Sequence, residues 1–164
     1  MPRTIQVELS DDGIKNAIKE LKQYALWVQV KEAELRTKLA RVGYDVASIQ
    51  FSGATYDGVN DVTVRVDDTG SVAVIYAEGT SVAFIEFGSG AMYGYGHPTA
   101  GEFGFGPGTW SDSENGKGHW DNPKGWYYAH GQRSFGNPPA MAMYNAVKEI
   151  TENVTRIARE VFAT

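Results

Sequence analysis

From position 14 to position 49, apolar side chains recur at intervals of four and three: Ile14, Ile18, Leu21, Ala25 and Val28, then Leu35, Leu39, Val42, Val46 and Ile49. That period predicts a long amphipathic helix, and its stripe must find something to pack against. Ser10, ahead of Asp11 and Asp12, supplies the start. It is a hydroxyl N-cap followed by two acids where the helix dipole favours negative charge. Glu32 breaks the register where an apolar residue is expected. A solvated acid on a water-facing turn accounts for it, and a register-setting contact between subunits is the sharper alternative. Gly43 reads as a weak point or as the helix C-terminus, since glycine costs ~1 kcal/mol inside a helix.

On either side of this helix the pattern changes. Ile5, Val7 and Leu9 alternate with polar residues and predict a short first strand. Residues 49–56, 62–66 and 71–76 are rich in β-branched side chains and separated by Asp57-Gly58 and by Asp67-Asp68-Thr69-Gly70, so they predict hairpin-connected antiparallel strands. Between Ser81 and Gly88, a hydroxyl cap and a glycine stop enclose one or two helical turns. Asn137 followed by Pro138 reads as the N-cap and first residue of the last helix. Its stripe is Met143, Val147, Ile150, Val154, Ile157 and Val161, and Lys148, Glu152, Arg156 and Glu160 stand opposite, with Glu152 and Arg156 in the favourable i, i+4 order.

These elements give an α+β fold: a long N-terminal amphipathic helix, an antiparallel sheet of three to five strands, a long Gly- and aromatic-rich loop, and a C-terminal helix packed on the sheet. We read residues 1–164 as one domain, the usual size for a single core. Within it, 1–56 holds the first strand, the long helix and the first sheet strand. Residues 57–87 hold the hairpin and short helix, 88–137 the loop and 138–164 the last helix. No secretory signal is expected after Met1-Pro2-Arg3, and the apolar run at 72–77 is far shorter than the ~20 residues that span a bilayer. The absence of cysteine removes disulfides, thiolate metal sites and a cysteine nucleophile together, and it fits a chain made in a reducing cytoplasm. A net charge of -5 argues against a chain whose main work is to neutralise phosphates.

The loop is the chemically unusual part. Residues 88–137 hold thirteen of the nineteen glycines together with Tyr93, Tyr95, Phe103, Phe105, Trp110, Trp120, Trp126, Tyr127, Tyr128 and Phe135, more ring surface than a solvated linker carries. The histidines His97, His119 and His130 lie near Glu102, Asp112, Glu114 and Asp121, but none share a spacing that puts two on one helix face or strand, so no metal site is expected. His97 before Pro98 and His130 before Gly131 instead suit backbone hydrogen bonds in tight turns. A carboxylate pair such as Glu86 with Glu102 or Asp112 lacks any supporting motif, and no G-x-S-x-G elbow occurs. The glycine-rich run at 101–108 contains Pro107 and leads into Thr109-Trp110, the wrong context for a phosphate loop. Lys117, Lys124 and Arg133 are too few for a single-strand nucleic-acid groove. No catalytic, cofactor-binding or metal-binding residues are expected. A protein interface, where aromatic residues concentrate, is the remaining account, alongside packing within the same chain.

A family resemblance gathers in the second half. Ser81-Val82-Ala83-Phe84-Ile85-Glu86-Phe87-Gly88-Ser89-Gly90, then His97-Pro98, Gly108-Thr109-Trp110, Gly125-Trp126-Tyr127-Tyr128 and His130-Gly131 come in that order, followed by Pro139-Ala140-Met141-Ala142-Met143-Tyr144-Asn145-Ala146 and Ile157-Ala158-Arg159-Glu160-Val161-Phe162. Together they resemble the neck, or tail-completion, proteins of tailed bacteriophages, prophages and phage-tail-like particles. The likeness covers 81–162, while the first half agrees only in its order of long helix then strands. It implies a non-enzymatic virion component, assembled in the host bacterial cytoplasm, that forms a homo-oligomeric ring of sixfold or twelvefold order. Such a ring lies between the head-tail adaptor or stopper and the tail terminator or tail tube, and DNA crosses its lumen without sequence-specific binding. The interface residues expected on this reading are Glu86, Phe87, Gly88, Tyr93, Tyr95, His97, Pro98, Trp110, Trp120, Trp126, Tyr127, Tyr128 and His130. The rival from another class is a carbohydrate- or cell-wall-binding or cleaving module that uses the same aromatic loop.

Overall fold

The computed structural model describes residues 6–56, 58–90, 93, 96–103, 124, 126–127 and 133–163, with 126–127 as backbone. The expected long helix is present as α1, Asp11–Ser52, about 63 Å long at 1.5 Å per residue. Ser10 caps it as its sequence suggests, its hydroxyl accepting a hydrogen bond from the Gly13 N–H at 3.1 Å. Three expectations around α1 are corrected. Residues 6–9 form no strand, and Leu9 is almost fully exposed. Residues 49–52 are the last helical turn and not the start of a sheet, because α1 ends only at Gly53, whose N–H bonds the Ile49 carbonyl. Ile49 itself is exposed. Gly43 ends nothing. It is buried, and a Cβ there would lie 2.5 Å from Ile75 Cδ1 and 2.6 Å from Ile150 Cδ1, so the missing side chain is the space in which two other elements meet the helix.

Those elements are a hairpin and a second helix. Strands β1 (Thr63–Asp67) and β2 (Val74–Glu78) pair antiparallel, with Thr63 opposite Glu78 and Asp67 opposite Val74. Tyr56 and Val59 exchange both backbone hydrogen bonds at 2.9 Å across the tight turn before them. The turn after β1 is fixed to α1: Asp68 accepts from Arg36 Nε at 2.6 Å and from the Thr37 hydroxyl. Helix α2 (Val82–Phe87) follows, a short helix as expected. Ser81 does not cap it by its side chain. Asp61 holds this turn instead, accepting from the Thr80 hydroxyl, from Thr80 N–H at 2.6 Å and from Ser81 N–H at 3.1 Å. After a 3-10 turn at Ala100–Phe103, strands β3 (Trp126–Tyr127) and β4 (Arg133–Ser134) make a second antiparallel pair. The described strands thus form two sheets of two strands, where one sheet of three to five was expected.

The last helix, α3 (Ala142–Ala163), starts four residues later than the Asn137-Pro138 pair suggests. Asn137 has other work: its amide donates to the Phe84 carbonyl at 2.9 Å and its backbone bridges Ser89. α3 runs antiparallel along α1. At its start Asn145 Nδ2 donates to Gln50 Oε1 at 2.9 Å, and at its end the Phe162 ring stands edge-on to Trp27 at 5.8 Å. Ala47 and Phe51 of α1, Ile85 of α2, and Ala142 and Ala146 of α3 are the buried heart of the core, with Val62, Val64 and Ala77 of the hairpin region against it. Small alanines at 47, 142 and 146 let the helix backbones approach closely. Ile157 and Val161 are buried as expected, while Val147 and Val154 face outward. The outer charges pair as Lys148 with Glu152 and Arg156 with Glu160, not as Glu152 with Arg156. Among the described residues no helix is long and apolar enough to cross a membrane.

At about 33 Å, α3 covers little more than half of α1. Two predictions follow from how the covered half is held. Gly43→Val overpacks the Ile75 and Ile150 contact and should lower stability by ~1–3 kcal/mol, whereas Gly43→Ala, which asks only two flexible side-chain tips to shift, stays within ~1 kcal/mol. Urea midpoints distinguish them. The Thr80 hydroxyl, then its N–H, and then Ser81 hold the Asp61 carboxyl at about 2, below its ordinary 3.8. A depressed folded value gives stability that is complete above about 4 and is lost as the pH falls towards 2. The urea midpoint of the parent chain should therefore fall over that window more steeply than that of Asp61→Asn, which has no charge to lose there.

Candidate interface site at the start of the last helix

Three of the family-like segments, those holding Glu86, His97 and Met143-Tyr144, meet at one carboxylate. α2 is only six residues long and stops at Gly88, whose φ of 75° favours glycine. A Cβ on Gly88 would lie 2.8 Å from Pro139 N, so glycine is also what lets the two chain segments touch. Side by side, they form a ladder: Ser89 N–H donates to the Asn137 carbonyl at 2.9 Å, Ala140 N–H to Ile85 at 2.7 Å, and Met141 N–H to Glu86 at 3.2 Å. Met141, the last residue before α3, is held at φ 53°, a left-handed conformation that costs a methionine about 1–2 kcal/mol. The ladder over-determines it.

Glu86 sits at the end of this ladder and is 5% exposed. Its Oε2 accepts from Met143 N–H at 2.9 Å and its Oε1 from Tyr144 N–H at 3.0 Å. These amides belong to the first turn of α3, which has no partners for them inside the helix. A carboxylate at a helix N-terminus meets both the free N–H groups and the positive end of the dipole. Glu86 is therefore the cap of α3, delivered from another helix 57 residues away in sequence. His97, 6% exposed, stands 3.3 Å from the same Oε1 through Nε2. Its Nδ1 accepts from Thr99 N–H at 3.2 Å, which leaves the proton on Nε2 and makes the ring a third donor to the carboxylate. That is the tight-turn backbone bond expected of His97. The ring stands edge-on to Phe87 at 4.6 Å and to Tyr144 at 5.4 Å, and Phe87 meets Phe103 at 5.8 Å.

Of the residues expected at an interface, the fold brings Glu86, Phe87, Gly88 and His97 into one cluster. Pro98 and Tyr93 lie beside it with exposed side chains. Trp126 and Tyr127 form β3. Tyr95, Trp110, Trp120, Tyr128 and His130 fall outside the described residues, as do His119, Asp112, Glu114 and Asp121. Glu102 is exposed on the 3-10 turn. Among the described residues no group of three or more His, Asp or Glu side chains could hold a metal ion. An open groove of about 280 Å³ lies between α1 and the hairpin, lined by Thr37, Ala40, Arg41, Tyr44, Val66 and Asp68. Its acid is engaged by Arg36 and Thr37, and its Arg41 pairs with Asp45. The capping role of Glu86 could not be found from spacing, because a cap from a distant helix leaves no local signature. The sole hint was an acid inside an otherwise apolar turn.

Compared with protein-family models, curated proteins and solved structures, the chain matches none.

Removing the carboxylate strands three donors, one buried and two part-buried, so Glu86→Ala should cost ~2–4 kcal/mol and speed amide exchange at Met143 and Tyr144 ahead of the rest of α3. Glu86→Gln keeps an acceptor and should lose less than half as much in the same thermal unfolding measurement.

Proposed function

We propose that this chain is a structural subunit of the neck of a tailed bacteriophage or phage-tail-like particle, a tail-completion ring that joins the head connector to the tail tube. The observation that carries the reading is the convergence of three of the family-like segments. The stretches containing Ile85-Glu86-Phe87-Gly88, His97-Pro98 and Pro139-Ala140-Met141 close on the Glu86 carboxylate, although 57 residues separate Glu86 from Met143. Motifs that act only as scattered coincidences have no reason to share one buried hydrogen-bond network.

On this reading the cluster is a rigid base. It holds Phe87 against Phe103, the last described residue before the undescribed stretch of the aromatic segment. The mechanism is geometric: the ring bridges two layers and leaves a lumen that an acidic chain does not close around DNA. Both oxygens of Glu86 are used in capping, so no proton-transfer role is proposed for it. The adaptor or stopper on one side and the tail terminator or tube on the other are the proposed partners, with the virion neck as the location.

Deleting the gene in a producing strain and imaging the particles tests this. We expect unjoined heads and tails, or tails with an unfinished end, restored by the gene in trans. Normal numbers of joined, infectious particles would exclude the neck role. Saturable binding of a monomeric chain to purified cell walls, lost in Trp110→Ala or Trp120→Ala, would favour the wall-binding module instead.

A further inference from the structure

Among the described residues β1 is an edge strand. The hairpin is a sheet of two strands, β1 and β2, paired with each other. Ile75 of β2 and Ile150 of α3 meet above Gly43, so β2 is the strand beside α3 and β1 the strand turned away from it. Along that outer edge runs the open groove of about 280 Å³, whose lining takes Val66 and Asp68 from the β1 side, Thr37, Ala40, Arg41 and Tyr44 from α1, and no residue of β2. Val66 borders it and is 38% exposed, although Val64 on the same face of the strand packs against the core. An edge strand beside an open groove is a template on which a further strand can add, through backbone hydrogen bonds and alternate side chains.

We propose that residues 6–9 of a second copy of this chain add to β1 as a third strand, over this groove. Ile5, Val7 and Leu9 alternate with polar residues, the period of a strand with one buried face, yet residues 6–9 form no strand in the single copy. The Glu8 carbonyl rests against Gly13, and the side chains of Val7 and Leu9 are left 51% and 97% exposed. The β1 edge of the same copy is out of their reach. Val7 stands three residues before Ser10 and lies within ~11 Å of it at full extension, whereas Thr37, the first groove residue along α1, is ~40 Å from Ser10.

Charge and pattern match across the proposed pair. On β1, Val64 and Val66 turn towards α1 and Arg65 between them turns outward; in the donor segment, Val7 and Leu9 flank Glu8. With Glu8 opposite Arg65, either direction of pairing sets an apolar side chain opposite Val64 and another opposite Val66, Val7 and Leu9 exchanging places. Arg65 meets Glu78 of β2 at 3.1 Å while its side chain stays 60% exposed, so its guanidinium has donors left for a carboxylate on the other side. Opposite charges directly across two strands stabilise the pair. A slip of one residue would instead turn Glu8 into the groove and Val7 and Leu9 into water. Donor segment and acceptor edge are different surfaces, so the contact runs head to tail and each copy both gives and takes a strand, as in a cyclic assembly. The contact is inferred from β1, the groove and residues 6–9; it would supply a ring contact for the neck reading but does not depend on it.

The test uses the purified full-length chain. Native mass spectrometry and sedimentation should show concentration-dependent association of the parent, and amide exchange in β1 should slow as the concentration rises. The double variant Val7→Asp, Leu9→Asp should associate roughly 30-fold more weakly or not at all, with unchanged circular dichroism and unfolding midpoint because both residues are exposed in the single copy. As the chain has no cysteine, Glu8→Cys and Arg65→Cys each introduce a single thiol, and on mild oxidation a mixture of the two chains should give the mixed disulfide ahead of either homodisulfide. A parent that stays monomeric, a double variant that associates like the parent, or a mixture without excess mixed disulfide overturns the proposal. So does β1 protection already complete in the dilute chain, the result expected if another segment of the same copy covers the edge. Failure here leaves the neck role to be decided by particle imaging, and association in a chain dispensable for particles would do the reverse.

Discussion

The carboxylate of Glu86 is the point on which the arrangement of the second half depends. A buried charge is tolerated only where polar groups replace its water. Here two amides from the first turn of α3 and the imidazole of His97 do so. The exchange works in both directions, since those amides have no partners inside their own helix. One side chain thus fixes the angle between α2 and α3, the position of the segment around His97, and the strained backbone at Met141.

The other half of the molecule is governed by a mismatch of length. An α1 of 42 residues is packed by an α3 of 22 and a short hairpin, and the α3 contact ends near Trp27, where it meets the ring of Phe162. Isolated helical turns gain little stability from propensity alone and depend on packing of an apolar face. Among the described residues, Ile14, Ile18 and Leu21 on the stretch before Trp27 are exposed while Ala17 is buried. The hairpin braces only the packed half, through Arg36 and Asp68 and through Ile75 above Gly43.

The motif order is a resemblance, while the shared hydrogen-bond network of the stretches around Glu86, His97 and Met143 is a property of the fold. The carboxylates near this network and the open groove are already engaged by amides, guanidinium groups or hydroxyls, so what they offer in this arrangement is rigidity. A rigid base beside a glycine- and ring-rich segment suits a surface that has to meet another protein in a fixed orientation.

Sequence by itself determined the elements whose causes are local. The 3.6-residue period and the Ser10 cap made α1 legible, β-branched runs around a polar turn made the hairpin legible, and the glycine stop at Gly88 bounded α2. The errors have one source: local signals lost to distant partners. Gly43 looked like an end because its packing against Ile75 and Ile150 lies outside any sequence window. Asn137 looked like a cap because the acid that caps α3 belongs to α2, and residues 49–52 looked extended until α1 was seen to continue beneath Ile85 and Ala142. Which half of the long stripe is buried, and which acid is a cap, were decided only in the tertiary structure, because both depend on groups brought within hydrogen-bonding or van der Waals distance by the rest of the chain.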